Sequence, residues 1–400
     1  DPYAAVKKLH QLYQREGGQD RLVAGAELCG SLGVQFEKNA PSAAVGCYLD
    51  AARLSRPGAL RAGGGVYDRE FRMIYNVSCA SLAALLHRQQ HVWSGTTRFA
   101  GPLTRTSLAR ERAPTGDIDP GYFDDFVPAD RIMLEGTELD HKRQDGVGGA
   151  LVGHRQKRDS KDTSERFISP GGLALPVNAC LAFPDKDRAV IVFRDLLEAD
   201  QLRVGGGDLP LNADWTAAVA YMYRYAPKKN VGFLGMLNPD EFQASTDLYR
   251  VSRFHPDKIP VIMVHGLMSS PETWIVALNE LRSDPVYRRH FQTVLYRYPT
   301  GYSIVRNAGE FRKTLADFRA TYETSQSRAN MRRMVVVCHS MGGNLTDLQI
   351  RHSGDTLRKL YFEKPIGELE IEKNQQDLFK SLFVFDPNPD IERVVFLACP

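Results

Sequence analysis

Residues 335–344 read Val-Val-Val-Cys-His-Ser-Met-Gly-Gly-Asn. The β-branched run predicts a buried strand that ends near Cys338, and a helix is expected to begin near Met341. The chain must turn sharply between them, and such a turn lifts the side chain of Ser340 clear of the sheet. Strand and helix nearly touch there, so small residues are needed two positions before and two positions after the serine. Gly342 meets the second requirement, and Cys338, which is small and readily buried, takes the first.

Three other interpretations of this stretch compete with a nucleophilic serine. Ser340 could be an ordinary helix N-cap, for which serine is a favoured residue. Cys338 could be a thiol nucleophile, but its place before the turn favours a packed core residue. His339 could act as a base, but adjacent side chains of a strand point to opposite faces, which argues against it.

Around this stretch, the C-terminal part of the chain alternates apolar runs with helical patterns. The apolar runs predict buried strands at 258–266, 292–299 and 333–340. Alternation of such strands with helices predicts a mostly parallel sheet that is covered on both faces. The chemistry should then lie at the carboxyl ends of the strands, where His265 and Ser340 are found.

Four motifs in this region, taken in their order and spacing, resemble a bacterial α/β-hydrolase of the lipase/esterase kind. They are KIPVIMVHGLMSSPETW (258–274), RYPTGYSI (297–304), CHSMGGN (338–344) and RVVFLACP (393–400). The resemblance covers about residues 245–400. It implies an α/β-hydrolase-type, mostly parallel sheet, incomplete in this chain, and it departs from the family at Cys338, where glycine is usual. Members with an extra N-terminal region are often envelope-associated, so the cell envelope or periplasm is the expected location.

The resemblance also implies how the site is built. Ser340 would be the nucleophile, and the backbone N–H groups of Leu267 and Met341 would form the oxyanion hole. Met341 opens a helix whose dipole favours developing negative charge. Gly266 would let the upstream loop approach the substrate oxygen without a side chain in the way, and His265 would hold that loop through hydrogen bonds.

A serine nucleophile needs a base and an acid that orients the base, and in this family they follow in the order Ser, Asp or Glu, His. The one histidine after Ser340 is His352, about three turns along the expected helix and directed away from the active-site rim. The acidic residues of the following excursion, 353–391, are no better placed, and this excursion could form part of a lid. We therefore expect a chain cut inside a domain, with the triad acid and histidine beyond Pro400.

Composition argues against several classes of protein. The 51 basic and 48 acidic residues give a formal net charge of +3, without the basic excess that neutralises nucleic-acid phosphates. Six cysteines are scattered without a C-x-x-C pair or metal-ligand spacing, so no metal and no other cofactor is expected. No apolar run approaches the roughly 20 residues of a membrane-spanning helix. Membrane association through a preceding N-terminal segment stays open.

Changes of pattern divide the chain into three predicted regions. Residues 1–110 are expected to be helical, because apolar residues recur three and four apart. Residues 111–245 show short alternating or β-branched runs, which predict a β-rich middle region. Residues 246–400 would be the N-terminal part of the hydrolase domain. The charged stretch 154–166 mixes signs within a few residues and is expected to be a solvated loop.

Together these patterns predict a serine hydrolase that cleaves a carboxylester, with a small-molecule or lipid acyl ester as substrate. An acyltransferase or an amidase would use the same groups. The alternative from another class is a non-catalytic envelope protein that binds a partner, since more than half of the chain lies outside the catalytic motifs.

Overall fold

The computed structural model describes residues 1–61, 65–134, 139–204, 207–225 and 246–400. The chain divides into two compact units: unit 1 comprises Asp1–Gln156 and Ala174–Met222, and unit 2 comprises Lys157–Leu173 and Tyr223–Pro400. Residues 226–245 of the predicted middle region lie outside the described residues. The predicted domain boundaries at 110 and 245 stay predictions.

Unit 1 begins with four helices: α1 (Ala4–Glu16), α2 (Gln19–Phe36), α3 (Pro41–Ala59) and α4 (Asp68–Arg88). A fifth, α5 (Trp215–Tyr225), follows its strands. Pro41 opens α3 at a position where its missing N–H costs no hydrogen bond. Small and apolar residues occupy most faces of α3 and α4, so both helices are largely buried.

The strands of unit 1 lie between α4 and α5. They are β1 (Thr96–Ala100), β2 (Arg105–Arg110), β3 (Asp125–Pro128), β4 (Arg143–Gln144), β5 (Gly149–Arg155), β6 (Leu173–Asp185), β7 (Arg188–Asp195), β8 (Gln201–Val204), β9 (Gly207–Pro210) and β10 (Ala213–Asp214). Six of them form one sheet in the order β1-β2-β7-β6-β5-β3, while β4 pairs with β10 and β8 with β9. Aromatic and aliphatic side chains of α4 and this sheet share one core, which includes Tyr75, Leu82, Phe126 and Phe193.

Unit 2 alternates strands and helices. The elements are β11 (Asp247–Arg250), β12 (Ile259–Val264), α6 (Ile275–Ser283), α7 (Pro285–His290), β13 (Phe291–Arg297), α8 (Ile304–Tyr322), α9 (Arg328–Met331), β14 (Met334–His339), α10 (Met341–Ile350), α11 (Thr356–Tyr361), α12 (Lys373–Phe383) and β15 (Ile391–Leu397). The strands form a five-stranded sheet in the order β11-β13-β12-β14-β15. Its core includes Ile262, Tyr296, Phe311 and Val336.

The predicted fold class, an α/β-hydrolase-type mostly parallel sheet, is wrong. The two larger sheets are mixed, and one sheet curls into a half-barrel. In the six-stranded sheet, β1–β2, β3–β5 and β6–β7 are antiparallel and β2–β7 is parallel. In the five-stranded sheet, β11 runs antiparallel to β13. The other three pairs, β12–β13, β12–β14 and β14–β15, are parallel. The prediction failed because an apolar run indicates a buried strand but not its direction, which long-range pairing decides.

Candidate nucleophile site

Ser340 is the single residue between β14 and α10, and its backbone is strained. Its φ is 51° and its ψ is −125°, a combination that residues with a Cβ rarely adopt. The Ser340 N–H donates to the Leu397 carbonyl oxygen at 3.1 Å, and the Ser340 carbonyl accepts from the Gly343 N–H at 2.8 Å. These two bonds hold the turn between the sheet and the first turn of α10. Strain of this kind clusters at functional sites, which makes Ser340 a candidate.

The hydroxyl of Ser340 is not used to cap the helix. Ser340 occupies the N-cap position of α10, but its side chain makes no capping hydrogen bond. Ser303, at the N-cap of α8, does accept from the Arg306 N–H at 3.3 Å. The half-buried Ser340 side chain therefore lies at the start of a helix without making the capping hydrogen bond for which serine is usually selected at that position.

Two glycines let α10 begin directly against its neighbours. A Cβ on Gly342 would lie 2.6 Å from the carbonyl oxygens of both Val264 and His265, which are backbone atoms that cannot move aside cheaply. A Cβ on Gly343 would lie 2.4 Å from Cys399 Sγ. A small residue is therefore required two positions after Ser340, because a larger one would clash with the backbone at the end of β12.

The structure brings the His-Gly loop after β12 into contact with the serine turn. A Cβ on Gly266 would lie 2.9 Å from the Cβ of Ser340 and 3.2 Å from Nδ1 of His339. Only a residue without a side chain fits this approach. Two segments that lie far apart in the sequence therefore meet at Ser340.

His265 holds that loop and is neutral at pH 7. Its Nδ1 donates to the Gly266 carbonyl oxygen at 3.1 Å, and its own carbonyl accepts from the Tyr298 hydroxyl at 2.7 Å. The His265 and Tyr298 rings stack with centroids 4.3 Å apart. Burial lowers the pKa of His265 to about 4, although the bond to Gly266 opposes the shift. The arrangement suits a positioning side chain rather than a proton carrier.

The two N–H groups predicted to form the oxyanion hole flank the contact between Gly266 and Ser340. Among the described residues, neither the Leu267 N–H nor the Met341 N–H has an acceptor. The side chains of Leu267 and Met268 are 50% and 51% exposed, and Met268 has a φ of 54° with its N–H directed to Thr300 Oγ1 at 3.4 Å. The loop thus offers a free N–H and an apolar rim beside the serine.

Cys338 is fully buried beneath the turn. Its Sγ lies 3.5 Å from the Val395 carbonyl oxygen, and burial raises the pKa of the Cys338 thiol to about 12. A thiol of this kind is protonated at neutral pH and therefore a poor nucleophile. The geometry agrees with the interpretation of Cys338 as a packed residue.

Histidine–aspartate pairs occur in both units, but neither touches Ser340. His352 Nδ1 lies 2.8 Å from Asp386 Oδ1, with side chains 74% and 85% exposed, just past the far end of α10. His141 Nε2 lies 2.8 Å from Asp214 Oδ2 in unit 1, and Arg143 Nε shares that oxygen at 2.9 Å. No hydrogen bond joins the Ser340 hydroxyl to a histidine of the described chain. Sequence reasoning missed the His141 pair, because its members lie 73 positions apart without a shared motif.

Within the described ranges, no group of three or more His, Cys, Asp or Glu side chains is arranged to hold a metal ion. The helices described there are also all too short or too polar to cross a membrane. Comparisons of the chain with protein families, with curated proteins and with solved structures found no match. The resemblance to lipases and esterases therefore rests on sequence motifs alone.

Proposed function

We propose that this protein is a serine hydrolase that cleaves a carboxylic ester with Ser340 as its nucleophile. The observation that carries the proposal is the strained turn at Ser340, whose hydroxyl makes no capping bond and whose Cβ abuts Gly266. A strained serine between a strand and a helix is the arrangement that exposes a nucleophilic hydroxyl. A structural role alone would require neither the strain nor the freedom of the hydroxyl.

In the proposed reaction, Ser340 Oγ attacks the acyl carbon and the carbonyl oxygen becomes negatively charged. The N–H groups of Leu267 and Met341 donate to that oxyanion, and the N-terminal end of α10 adds the favourable end of its dipole. The bond from the acyl carbon to the alcohol oxygen breaks, and that oxygen takes up the proton that Ser340 Oγ has lost. Water then adds to the acyl carbon, its oxygen stays in the released acid, and its proton restores the Ser340 hydroxyl. Attack by a second alcohol instead of water would give acyl transfer with the same groups.

The rim of the site favours an apolar acyl group. Leu267 and Met268 are large apolar side chains, each about half exposed, that directly follow Gly266 in the loop that meets the Ser340 turn. Covering them with an acyl chain would remove apolar surface from water, worth roughly 25 cal/mol per Å². A p-nitrophenyl ester of a medium-length fatty acid should therefore be cleaved with a higher kcat/KM than the acetate. Ser340 would cleave both esters, so only the ratio of their kcat/KM values tests whether Leu267 and Met268 bind the acyl chain.

Labelling with a fluorophosphonate tests the nucleophile directly, because the probe reacts with an activated serine. Its reaction needs the hydroxyl to be deprotonated, so the labelling reports on a general base as well as on Ser340. We expect the full-length protein to be labelled and Ser340→Ala not to be. Ser303→Ala is the matched control, since it removes a helix-cap serine that makes its capping bond, and it should label like the wild type.

Failure of the folded wild type to label would contradict the proposal and favour the non-catalytic binding protein. Labelling that persists in Ser340→Ala would place the reactive serine elsewhere. Amide substrates can be compared with esters on the labelled protein, since an amidase would use the same nucleophile and oxyanion donors.

A further inference from the structure

A second pair of reactive groups lies directly beneath the Ser340 turn. Cys338 is the last residue but one of β14, and Cys399 lies two residues beyond the end of β15, the strand that pairs with β14. Cys399 Sγ lies 3.6 Å from the Cys338 carbonyl oxygen, so the two residues are in direct contact. Cys338 is fully buried, whereas Cys399 is only partly covered. Both are thiols in the structure.

Two features of the backbone bring Cys399 to this place. Ala398 has a φ of 47°, a conformation that is costly for a residue with a Cβ and that redirects the chain after β15. Gly343 on α10 leaves the space that Cys399 occupies, because a Cβ there would lie 2.4 Å from Cys399 Sγ and 2.6 Å from Cys399 Cβ. The strained backbone of Ala398 and the absence of a side chain at Gly343 thus both allow Cys399 to contact Cys338.

We propose that Cys338 and Cys399 are an oxidation site and form a disulfide when the folded protein meets a disulfide oxidant. A disulfide requires two cysteines whose Cα atoms lie within about 7 Å of each other. The contact of Cys399 Sγ with the Cys338 carbonyl oxygen, at 3.6 Å, places the two residues side by side. The bond would tie the strand end below Ser340 to the chain beyond β15, 61 positions away. This site is independent of the hydrolase proposal, since it needs no reaction at Ser340.

The oxidant is a small-molecule disulfide such as oxidised glutathione, and the reaction balances in two exchanges. The partly exposed Cys399 thiolate attacks one glutathione sulfur, which forms a mixed disulfide and releases one glutathione thiolate that takes up a proton. The Cys338 thiolate then attacks Cys399 Sγ and releases the second glutathione. Both protein thiols are oxidised, and the glutathione disulfide is reduced to two thiols.

The second exchange should be the slower one. Burial raises the pKa of Cys338 to about 12, so its thiolate is scarce at neutral pH and becomes more abundant as the pH rises. The rate of bond formation should therefore rise with pH. Closing a loop of this length should stabilise the folded state, and we expect the Tm of the oxidised protein to rise by about 5 °C.

The test is incubation of the folded, full-length protein with oxidised glutathione, then unfolding, alkylation of the remaining thiols and tryptic mapping. The expected product links the peptide 334–351 to the peptide that begins at Val394, two hydrogens lighter than the sum of the two. Cys399→Ser should give no linked peptide and no rise in Tm. Because Cys399 is only partly covered, this variant should fold, and Cys29→Ser is the control that should still form the link.

Several outcomes would overturn the inference. One is a glutathione adduct that stays on Cys399 without transfer to Cys338. Another is a link from Cys338 to any cysteine other than Cys399. A third is recovery of both cysteines as alkylated thiols from protein that was folded throughout the incubation.

Discussion

The backbone conformation of Ser340 destabilises the folded state, and no capping hydrogen bond of its side chain offsets that cost. A non-glycine residue in a sparsely populated region costs of order 1–3 kcal/mol, and the Ser340 hydroxyl makes no capping bond to offset it. Glycine adopts positive φ readily, although it also loses more entropy on folding. We expect Ser340→Gly to raise the free energy of unfolding by about 1 kcal/mol and to abolish fluorophosphonate labelling. Urea unfolding beside the labelling assay measures both.

The variant Ser340→Ala distinguishes the effect of backbone strain on stability from the effect of the hydroxyl on labelling. Ser340→Ala keeps the Cβ and hence the strain, so its stability should stay within about 0.5 kcal/mol of the wild type while labelling is lost. Ser303→Ala should behave in the opposite way, losing about 1 kcal/mol with the cap of α8 and keeping the labelling. A Ser340→Gly protein that is less stable than the wild type would show that the turn is not strained.

His265 should make the stability of unit 2 depend on pH. Its pKa is about 4 when folded and near 6.5 when unfolded, so between these values the unfolded chain binds the proton more tightly. Its contribution is present above pH 6.5 and is lost as the pH falls through 4. The loss from pH 7 to pH 4 should be about 3 kcal/mol.

The variant His265→Asn isolates this effect, because its side-chain amide can replace the bond from Nδ1 to Gly266 but does not titrate. Urea unfolding of both proteins at several pH values gives the difference between them. That difference should shrink towards acid pH, since the wild type alone loses the histidine contribution. Two parallel stability curves would contradict the assigned shift.

At the scale of elements, the start of α10 depends on close contact with the end of β12. Gly342→Ala would place a Cβ 2.6 Å from two backbone carbonyl oxygens, and one of the two elements would have to shift. We expect a loss of about 2–3 kcal/mol in stability and a loss of fluorophosphonate labelling, because the same shift displaces Ser340.

Gly367→Ala is the matched control for this prediction. A Cβ on Gly367 meets no heavy atom within 4 Å, so the substitution should leave both stability and labelling close to those of the wild type. Labelling at wild-type level in Gly342→Ala would show that the turn does not depend on this contact.

The same elements show what the sequence could predict. The apolar runs at 258–266 and 333–340 coincide with β12 and β14, because burial leaves a local trace in the residues themselves. The small residues around Ser340 could be found by spacing alone, because the crowding arises within one turn. The antiparallel direction of β11 could not, since pairing with β13 is decided by residues far apart in the chain.

At the scale of the whole molecule, unit 2 includes a segment that precedes most of it in the sequence. Residues 157–173 belong to unit 2, although the chain returns to unit 1 after them. Arg166 makes ion pairs with Asp247 and Asp317, and the Phe167 ring lies edge-on to Phe318 with centroids 5.1 Å apart. The mixed charges of 154–166 predicted a solvated loop, and residues 156–163 are exposed. His154 and Arg155, however, are buried at the end of β5, and Glu165 is buried as well. The sequence did not predict that Phe167 packs in the core of unit 2, because a single buried aromatic residue has no periodicity.

Phe167 should therefore stabilise unit 2 and not unit 1. It is 1% exposed, and Phe167→Ala should cost about 3 kcal/mol through lost burial and the cavity left behind. Hydrogen exchange should show faster exchange of amides in β12 and β14 and little change in α3 and α4, since local stability follows cooperative units. Phe193→Ala, which removes a fully buried ring from the core of unit 1, should give the reverse pattern. Equal loss of protection in both units for either variant would show that the chain unfolds as one cooperative body.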